Sequence, residues 1–490
     1  MAKITIPLIG SMIEADVTHS YSSKASMRGQ NFRNCIFRYS QNAISGGSKI
    51  EVRPLTAFGQ YWRTGPSPAA LGSALMQWTG KGDGDNVVSA FGATNSTIYE
   101  DGTSRGSITG KVIWFSETMV TTTATFLALA DNGRAWYYPD GGALTEITDT
   151  DFPTKQTPAL TPTGNFVHMD GYAFIACTNG QIWNSDLNSV SGWTANNYVS
   201  AAGKPDGLIG LAKKGDYIYA FGTLSCDVYY NAGNATGSPL SPVKGASFSI
   251  GALNQYCILP FRDSVVWVGV SAEGGIGVYI LDGASPKKIS TGLVDNFISA
   301  SLELKLHTII DQGKQIIFLG YHGAGESSGY GYIYDPELNI WSSALFSNNF
   351  EINQTIILRT SNGAMYTVAV NDDYGALQSN LLVTYQTAIA LIGPIGEGEA
   401  HTIKSIQVLG DGFGTTTGLT VSIAVNHSDD IASWTSERDV TTKTGIAHRF
   451  GYAKSGRTRI RLSWTGDSNT VNDAWLNAVR VDIEQARAFA

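Results

Sequence analysis

The chain has few charged residues, and this shortage excludes one class of protein. Charged residues make up 15% of its 490 residues, against about 25% in an average globular protein. Its net charge is −8 at pH 7, and its 33 basic residues are scattered along the sequence. A protein that grips nucleic acid clusters its Lys and Arg on one surface. The composition therefore argues against a general nucleic-acid binder and is compatible with large subunit interfaces.

Cysteines are also few, and their spacing excludes a disulfide scaffold or a zinc module. Cys35, Cys177, Cys226 and Cys257 lie far apart and form no C-x-x-C motif. The last three lie inside apolar, strand-like runs, where a free Cys behaves as a small buried hydrophobe. We therefore expect free thiols in a protein that folds in a reducing cytoplasm.

Long hydrophobic runs and catalytic motifs are missing as well. No segment approaches 18 consecutive apolar residues, and the first residues lack a secretory leader pattern. The motifs G-x-S-x-G, G-x-x-x-x-G-K-[ST] and H-E-x-x-H do not occur, and the seven His residues are isolated. His168 and His307 adjoin apolar runs, which favours core positions over metal ligation. We therefore expect no cofactor.

Strand-forming hairpins recur through most of the chain. Runs of β-branched and aromatic residues broken by Gly-containing turns predict hairpins, and the sequence holds 55 glycines. Seven such units follow one another at intervals of roughly 40 to 50 residues, the spacing of propeller blades. They are Val87 to Gly102, Ala124 to Gly141, Tyr172 to Asp186, Asp216 to Gly233, Ser264 to Gly283, Gln315 to Pro336 and Gln354 to Asp372. We predict an all-β fold whose main domain is a β-propeller of about six to seven blades.

The remaining segments predict a second domain, because one core rarely serves more than about 300 residues. Six strand patterns with short turns follow residue 381, which is typical of an immunoglobulin-like β-sandwich. The predicted organisation is an N-terminal strand segment at 1–50, a propeller at 51–375 and a sandwich at 376–490. One helix is predicted at Leu293 to Leu306, with Asp295 as a candidate capping residue.

Aromatic residues end the second strand of several hairpins, as at Tyr99, Tyr138 and Tyr334. A Trp begins the next strand at Trp193 and Trp341. Large rings at these positions fill the gaps between neighbouring blades. We therefore interpret them as packing residues and not as a ligand cage.

Asp83 and Asp85 lie close together in the sequence KGDGDNV and raise the question of calcium. Carboxylates at this spacing are found in calcium loops, but the later bidentate Glu of an EF-hand is missing. Asp-Gly pairs are also ordinary turn formers. Calcium binding and a simple turn both remain open here.

Arg457, Arg459 and Arg461 alternate along one strand pattern, KSGRTRIRLSW, so they share one face. Such a face can contact an acidic neighbour or a DNA phosphate. It can equally be a solvated surface of the sandwich. We regard the three arginines as a possible interface.

The phrases PDGLIG, at Pro205 to Gly210, DVYY, at Asp227 to Tyr230, and VYILDGASPKKI, at Val278 to Ile289, carry a family resemblance. In this order they resemble the packaged-DNA stabilisation proteins of short-tailed phages of the P22 type. The resemblance covers roughly residues 204–292. Asn34, within QNFRNCIFRY, resembles the opening of these proteins. The sequence from Ser428 to Val440 looks like a turn of phage tail hub sandwiches, with Ile431 and Ala432 where Gly is usual.

The resemblance implies a structural protein of the virion tail, without enzymatic activity, assembled in the host cytoplasm. Several copies, taken as six, would form a ring below the portal and its adaptor and extend the DNA channel. Further partners implied by the family are a tail needle or plug, a tail fibre or tailspike, and the packaged DNA, which is held without sequence-specific binding.

An alternative function is a carbohydrate-binding or glycan-cleaving propeller with an accessory sandwich. The many aromatic residues and the Asp-box-like sequence from Ser428 to Trp434 favour it. Sialidase-type boxes, however, recur from blade to blade, and this sequence has one imperfect copy.

Overall fold

The structure is a computed structural model. It describes residues 2–7, 32–33, 35–39, 50–54, 73–78, 89–94, 96–100, 103–120, 122–201, 203–301, 303–311, 314–321, 328–347, 354–359, 365–370, 388–395, 401–411, 421–426, 434–440, 446–453, 458–464 and 475–485. The chain forms two compact units. Unit 1 comprises residues 1–57, 330–348 and 382–490, and unit 2 comprises residues 58–329 and 349–381.

Nearly all described elements are strands. In chain order, β1 to β4 are Ala2–Pro7, Phe32–Arg33, Cys35–Tyr39 and Ile50–Pro54. Strands β5 to β12 are Ala74–Trp78, Ser89–Thr94, Thr97–Glu100, Thr103–Ser107, Val112–Thr118, Thr125–Ala130, Ala135–Pro139 and Thr145–Glu146. Strands β13 to β20 are Pro162–Met169, Tyr172–Cys177, Gln181–Ser185, Trp193–Ser200, Leu208–Lys214, Tyr217–Gly222, Cys226–Asn231 and Leu240–Pro242. Strands β21 to β25 are Ile250–Ala252, Ile258–Phe261, Ser264–Ser271, Ile276–Asp282 and Ser285–Lys288.

The remaining elements complete both units. Strands β26 to β31 are Leu304–Asp311, Lys314–Tyr321, Ser328–Asp335, Ile340–Ser347, Gln354–Arg359 and Met365–Val370. Strands β32 to β38 are Ala388–Ile395, His401–Asp411, Val421–Asn426, Arg438–Val440, Ile446–Ala453, Thr458–Trp464 and Trp475–Gln485. The helix α1 is Gly292–Ala300, and two 3₁₀ turns lie at Pro153–Lys155 and Gln255–Cys257. No helix in the described part of the chain is both long enough and apolar enough to span a membrane.

Unit 2 is a closed ring of small antiparallel sheets. The four-stranded sheets are β5 to β8, β9 to β12, β13 to β16 and β17 to β20, followed by the sheet of β21 to β25. The hairpins β26–β27 and β30–β31 follow in sequence. The innermost strands contact one another in a circuit that runs from β5 through β9, β13, β17, β22, β26 and β30 back to β5. The described part of unit 2 therefore forms a propeller of seven blades, numbered here from the β5 sheet to the β30 hairpin.

Apolar side chains between adjacent blades form the core of the propeller. Between blades 1 and 2, the buried ring of Phe126 is stacked on Tyr138 at 5.2 Å and meets Trp78 edge-on at 5.8 Å. Phe152 and Trp193 make a similar edge contact at 5.0 Å in the core between blades 2 and 3. The predicted packing role is confirmed for Tyr138 and Trp193. Aromatic rings contribute large buried areas to such cores.

In unit 1, strands from both ends of the sequence share two sheets. One sheet has the order β3-β4-β38-β33-β36, and β1 also pairs with β38. In the other, β2 lies between β29 and β32, and β37 and β34 follow. A single buried core draws on both sheets, with Phe37, Val481 and Ile460 among its members. The predicted immunoglobulin-like sandwich stays a prediction.

Two differences from the sequence-based expectations concern element boundaries. The helix ends at Ala300 and not at Leu306, because Leu304 already begins β26, which is paired with β27 along its whole length. The boundaries at residues 50 and 375 stay predictions. The structure places residues 1–57 in unit 1 with residues 382–490, whereas the sequence suggested an N-terminal segment that leads into the propeller.

Candidate functional site: the propeller axis and the arginine strand

A short turn from blade 5 lies at the centre of the propeller. Asn254 begins it, with its side-chain Oδ1 accepting from the Tyr256 backbone N–H at 2.8 Å. The Asn254 Nδ2 donates to the Leu304 carbonyl oxygen of blade 6 at 3.0 Å. Asn is a favoured residue at the start of a helical turn, because its side chain satisfies a free backbone N–H. Asn254 therefore both begins the turn and connects blades 5 and 6.

Gln255 connects this turn to two further blades. Its Oε1 accepts from Trp114 Nε1 of blade 2 and from the Gly164 N–H of blade 3, each at 3.0 Å. Gly164 has φ = +73°, and a Cβ at this position would lie 2.8 Å from the Gly210 Cα of blade 4. Glycine is required there for two reasons. Other residues rarely adopt this backbone conformation, and their Cβ atom would lie too close to Gly210.

Tyr256 adds an aromatic layer beside these hydrogen bonds. Its ring is stacked on Trp114 at 5.4 Å with an interplanar angle of 25°. The Lys305 Nζ lies 5.0 Å from the centroid of the Tyr256 ring, so a cation–π contact covers the tyrosine. We call Asn254 to Cys257, with Trp114, Gly164, Leu304 and Lys305, the axial lock.

Cys257 is the last residue of the lock and contacts blade 6. Its Sγ donates to the Leu304 carbonyl oxygen at 3.1 Å, and the residue is fully buried. Burial raises the pKa of the Cys257 thiol well above its usual range. Burial also raises the pKa of Cys177, to about 12. Thiolates are the reactive form of cysteine, and burial keeps both of these thiols in the neutral form.

Sequence reasoning missed the axial lock. The only local signal was Asn254 before a short polar stretch, which is a possible helix start. The partners of Gln255 lie 141 and 91 residues away in the chain. No periodicity connects residues at such separations.

The phrase PDGLIG, which carries the family resemblance, holds a structural carboxylate. Asp206 Oδ2 accepts from the Leu224 N–H at 2.7 Å, and its Oδ1 accepts from Ser225 Oγ at 2.8 Å. A Cβ at Gly222 would lie 2.5 Å from Asp206 Oδ2. Asp206 therefore ties the entry of blade 4 to the turn between β18 and β19.

Two of the three predicted interface arginines lie within the described residues, on β37. Arg461 Nη2 donates to Glu437 Oε1 at 3.0 Å, and its guanidinium lies 4.8 Å from the Trp434 ring centroid. Glu437 also accepts from Ser463 Oγ at 3.1 Å. Arg459 is half-buried, and its Nη1 has no hydrogen-bond partner. Arg461 is thus paired within its own chain, and the interface role of these arginines stays a prediction.

Other predicted site residues have different outcomes. Arg457, Asp83 and Asp85 lie outside the described residues. Within the described ranges no group of three or more His, Cys, Asp or Glu side chains could hold a metal ion. His307 is 3% exposed, its Nε2 lacks a partner, and burial lowers its pKa to about 3. Desolvation also lowers the pKa of the half-buried His168.

Two solved structures share a general likeness with the chain. Raptor of Chaetomium thermophilum aligns with a TM-score of 0.40 and 11% identity, covering 66% of this chain and 29% of that chain. The exo-beta-1,3-galactanase of Phanerochaete chrysosporium aligns with a TM-score of 0.28 and 10% identity, covering 75% of this chain and 95% of that chain. At TM-scores this low, neither likeness carries an argument about function.

A phage tail protein and a phage family model match the chain in sequence. A stretch of 100 residues, 20% of this chain, is 29% identical to the tail hub protein gp10 of Salmonella phage P22 and covers 21% of that protein. The match thus spans about a fifth of that relative. Residues 94–314 match the family model described as Bacteriophage P22 Gp10, beta-propeller. This region holds blades 2 to 5. The inferred resemblance is therefore confirmed: residues 94–314 are similar to the β-propeller described by the phage P22 Gp10 family model.

Proposed function

We propose that the chain is a structural subunit of a phage short tail, a tail hub protein without catalytic activity. The observation that carries this proposal is the match of residues 94–314 to the P22 Gp10 propeller. The similar protein of phage P22 is itself named a tail hub protein. In this proposal the chain is part of the virion tail and is assembled in the cytoplasm of the host.

The fold suits a mechanical role. The innermost strands form a closed circuit, and the axial lock ties blades 2, 3, 5 and 6 together across the centre. Buried, fully packed interfaces have discrete arrangements and deform little. Such a propeller holds its surfaces in fixed positions, as a hub needs when other tail parts attach to it.

In the proposed assembly, several copies, taken as six, form a ring below the portal and its adaptor. The ring extends the DNA channel and stabilises the packaged DNA. It also anchors a tail needle or plug and a tail fibre or tailspike. A chain with a net charge of −8 binds phosphates weakly, so DNA can slide past it during ejection.

Native mass spectrometry of the purified chain, alone and with the portal and adaptor, tests this proposal. We expect a closed ring of defined copy number, formed alone or on the adaptor. A chain that stays monomeric and ignores the portal complex would overturn the proposal.

The alternative glycan-binding function has one described feature in its favour. Tyr217 and Tyr230 are directly opposite residues on β18 and β19, and their exposures are 45% and 40%. Exposed rings can stack on sugars, although they also serve protein interfaces. A glycan array with a reducing-sugar assay separates the two functions, and reproducible turnover would reverse our ranking.

A further inference from the structure

The N-terminal strand β1 lies beside a strand from the other end of the chain. All six residues from Ala2 to Pro7 pair antiparallel with β38, in a register that runs from Ala2 opposite Ile483 to Pro7 opposite Ala478. Strand β33 pairs with the other edge of β38 over the whole length of that strand. Strand β4 meets β38 only at Leu476. Residues 478–483 of β38 thus form an acceptor edge for β1.

The acceptor edge is specific for this strand. Ile4 and Ile6 lie at the register positions opposite Val481 and Val479, both of which are fully buried. Thr5 lies opposite Arg480. A shift of one residue would reverse this alternation and place polar positions opposite the core. An unpaired edge would also leave backbone donors and acceptors without partners. The backbone groups of the acceptor edge therefore need a β1 strand as their hydrogen-bond partner. That strand can come from the same chain or from another copy of the chain.

The tether between β1 and the rest of the chain is long. Residues 8–31 separate β1 from β2. A segment of 24 residues spans at most about 80 Å when extended. The entropic cost of closing a loop changes only slowly with loop length. The chain length therefore permits β1 to reach an acceptor edge on its own copy or on an adjacent copy.

We propose that β1 is exchanged between copies: in the assembled ring, β1 of each copy pairs with the acceptor edge of the next. This inference rests on the proposed ring. The donor strand and the acceptor edge are different surfaces of one chain, so their contact is heterologous and can close a ring. The partner is a second copy of this chain, recognised by strand addition.

Cysteine cross-linking between separate chains tests the exchange. Thr5→Cys and Arg480→Cys are placed on two different chains, which are expressed together and oxidised. Directly opposite residues have Cβ atoms about 4.5–5.5 Å apart, close to the separation that a disulfide needs. We expect a disulfide-linked dimer on a non-reducing gel.

The matched control uses a pair within one hairpin. Thr97 and Ser107 are opposite each other on β7 and β8, with their Oγ atoms 3.3 Å apart. Thr97→Cys and Ser107→Cys on two chains should give no dimer, whereas both on one chain should give a linked monomer.

The exchange is overturned if Thr5→Cys and Arg480→Cys form a disulfide only when both are on one chain. Native mass spectrometry of the same oxidised samples, together with the non-reducing gel, separates the two proposals. A ring whose disulfides all lie within single chains leaves the proposed function standing and removes the exchange. A chain that never forms a ring removes both.

Discussion

Trp114 donates its indole N–H to Gln255 Oε1 at 3.0 Å, across 141 residues of sequence and between blades 2 and 5. The innermost strands contact their neighbours in the circuit, whereas the Gln255 side chain contacts blades 2 and 3 from blade 5. This hydrogen bond therefore adds a direct connection across the centre of the ring. The Gln255 side chain therefore helps to hold blades 2, 3 and 5 together.

Replacing Gln255 by Ala tests this connection. The change removes the acceptor for both Trp114 Nε1 and the Gly164 N–H, and leaving such donors without a partner costs about 1–3 kcal/mol each. We expect a loss of about 2–4 kcal/mol in the free energy of unfolding, measured by urea denaturation. Gln156→Ala is the matched control, because that side chain donates one hydrogen bond, to the Asp151 carbonyl oxygen. Equal losses in the two variants would contradict the account.

Gly164→Ala tests the close approach of blades 3 and 4. Gly164 and Gly180 both have positive φ, +73° and +88°, but a Cβ at Gly180 meets nothing within 4 Å. Gly180→Ala therefore reports the backbone strain alone, of order 1 kcal/mol. We expect Gly164→Ala to lower the melting temperature more than Gly180→Ala does. Similar melting temperatures for the two variants would show that the blades can separate at this point without cost.

The stability should depend on pH through His307. Its pKa falls from 6.5 in the unfolded chain to about 3 in the buried site. Above pH 6.5 the His307 imidazole is neutral in both the folded and the unfolded chain. Below pH 6.5 the imidazole binds a proton in the unfolded chain but stays neutral in the folded chain. Stability should therefore fall from pH 6.5 toward pH 3, by about 2 kcal/mol between pH 7 and pH 5. Denaturation of His307→Phe over the same pH range should show a smaller slope, and an unchanged slope would contradict this assignment.

Arg459 and Arg461 should respond differently to substitution. Arg461→Ala removes the ion pair with Glu437 and the contact with Trp434, and at this partial exposure we expect a loss of up to about 1 kcal/mol. Arg459→Ala removes no ion pair of the described residues. If this strand is an interface, Arg459→Ala weakens assembly, measured by native mass spectrometry, without changing the melting temperature. A fall in the melting temperature with intact assembly would assign Arg459 to the core.

Features that depend on residues close together in the sequence, such as the hairpins, could be predicted well. Most hairpins consist of two runs of β-branched and aromatic residues around a Gly-containing turn, so their strands could be located without knowledge of the fold. Tyr138 and Trp193 could be assigned to packing for the same reason. The contacts of Gln255 and the pairing of β1 with β38 could not be predicted, because they join distant residues that share no local pattern. The helix at Leu293 was extended too far because its apolar spacing continues into β26.

Electron microscopy of virions, in which antibody labels exposed residues of this chain, tests most directly the proposal that the chain is a hub subunit of a phage tail. We predict a ring of label at the tail, immediately below the portal and adaptor. Label that is absent from the tail, or that lies on particles without a ring at this position, would contradict it.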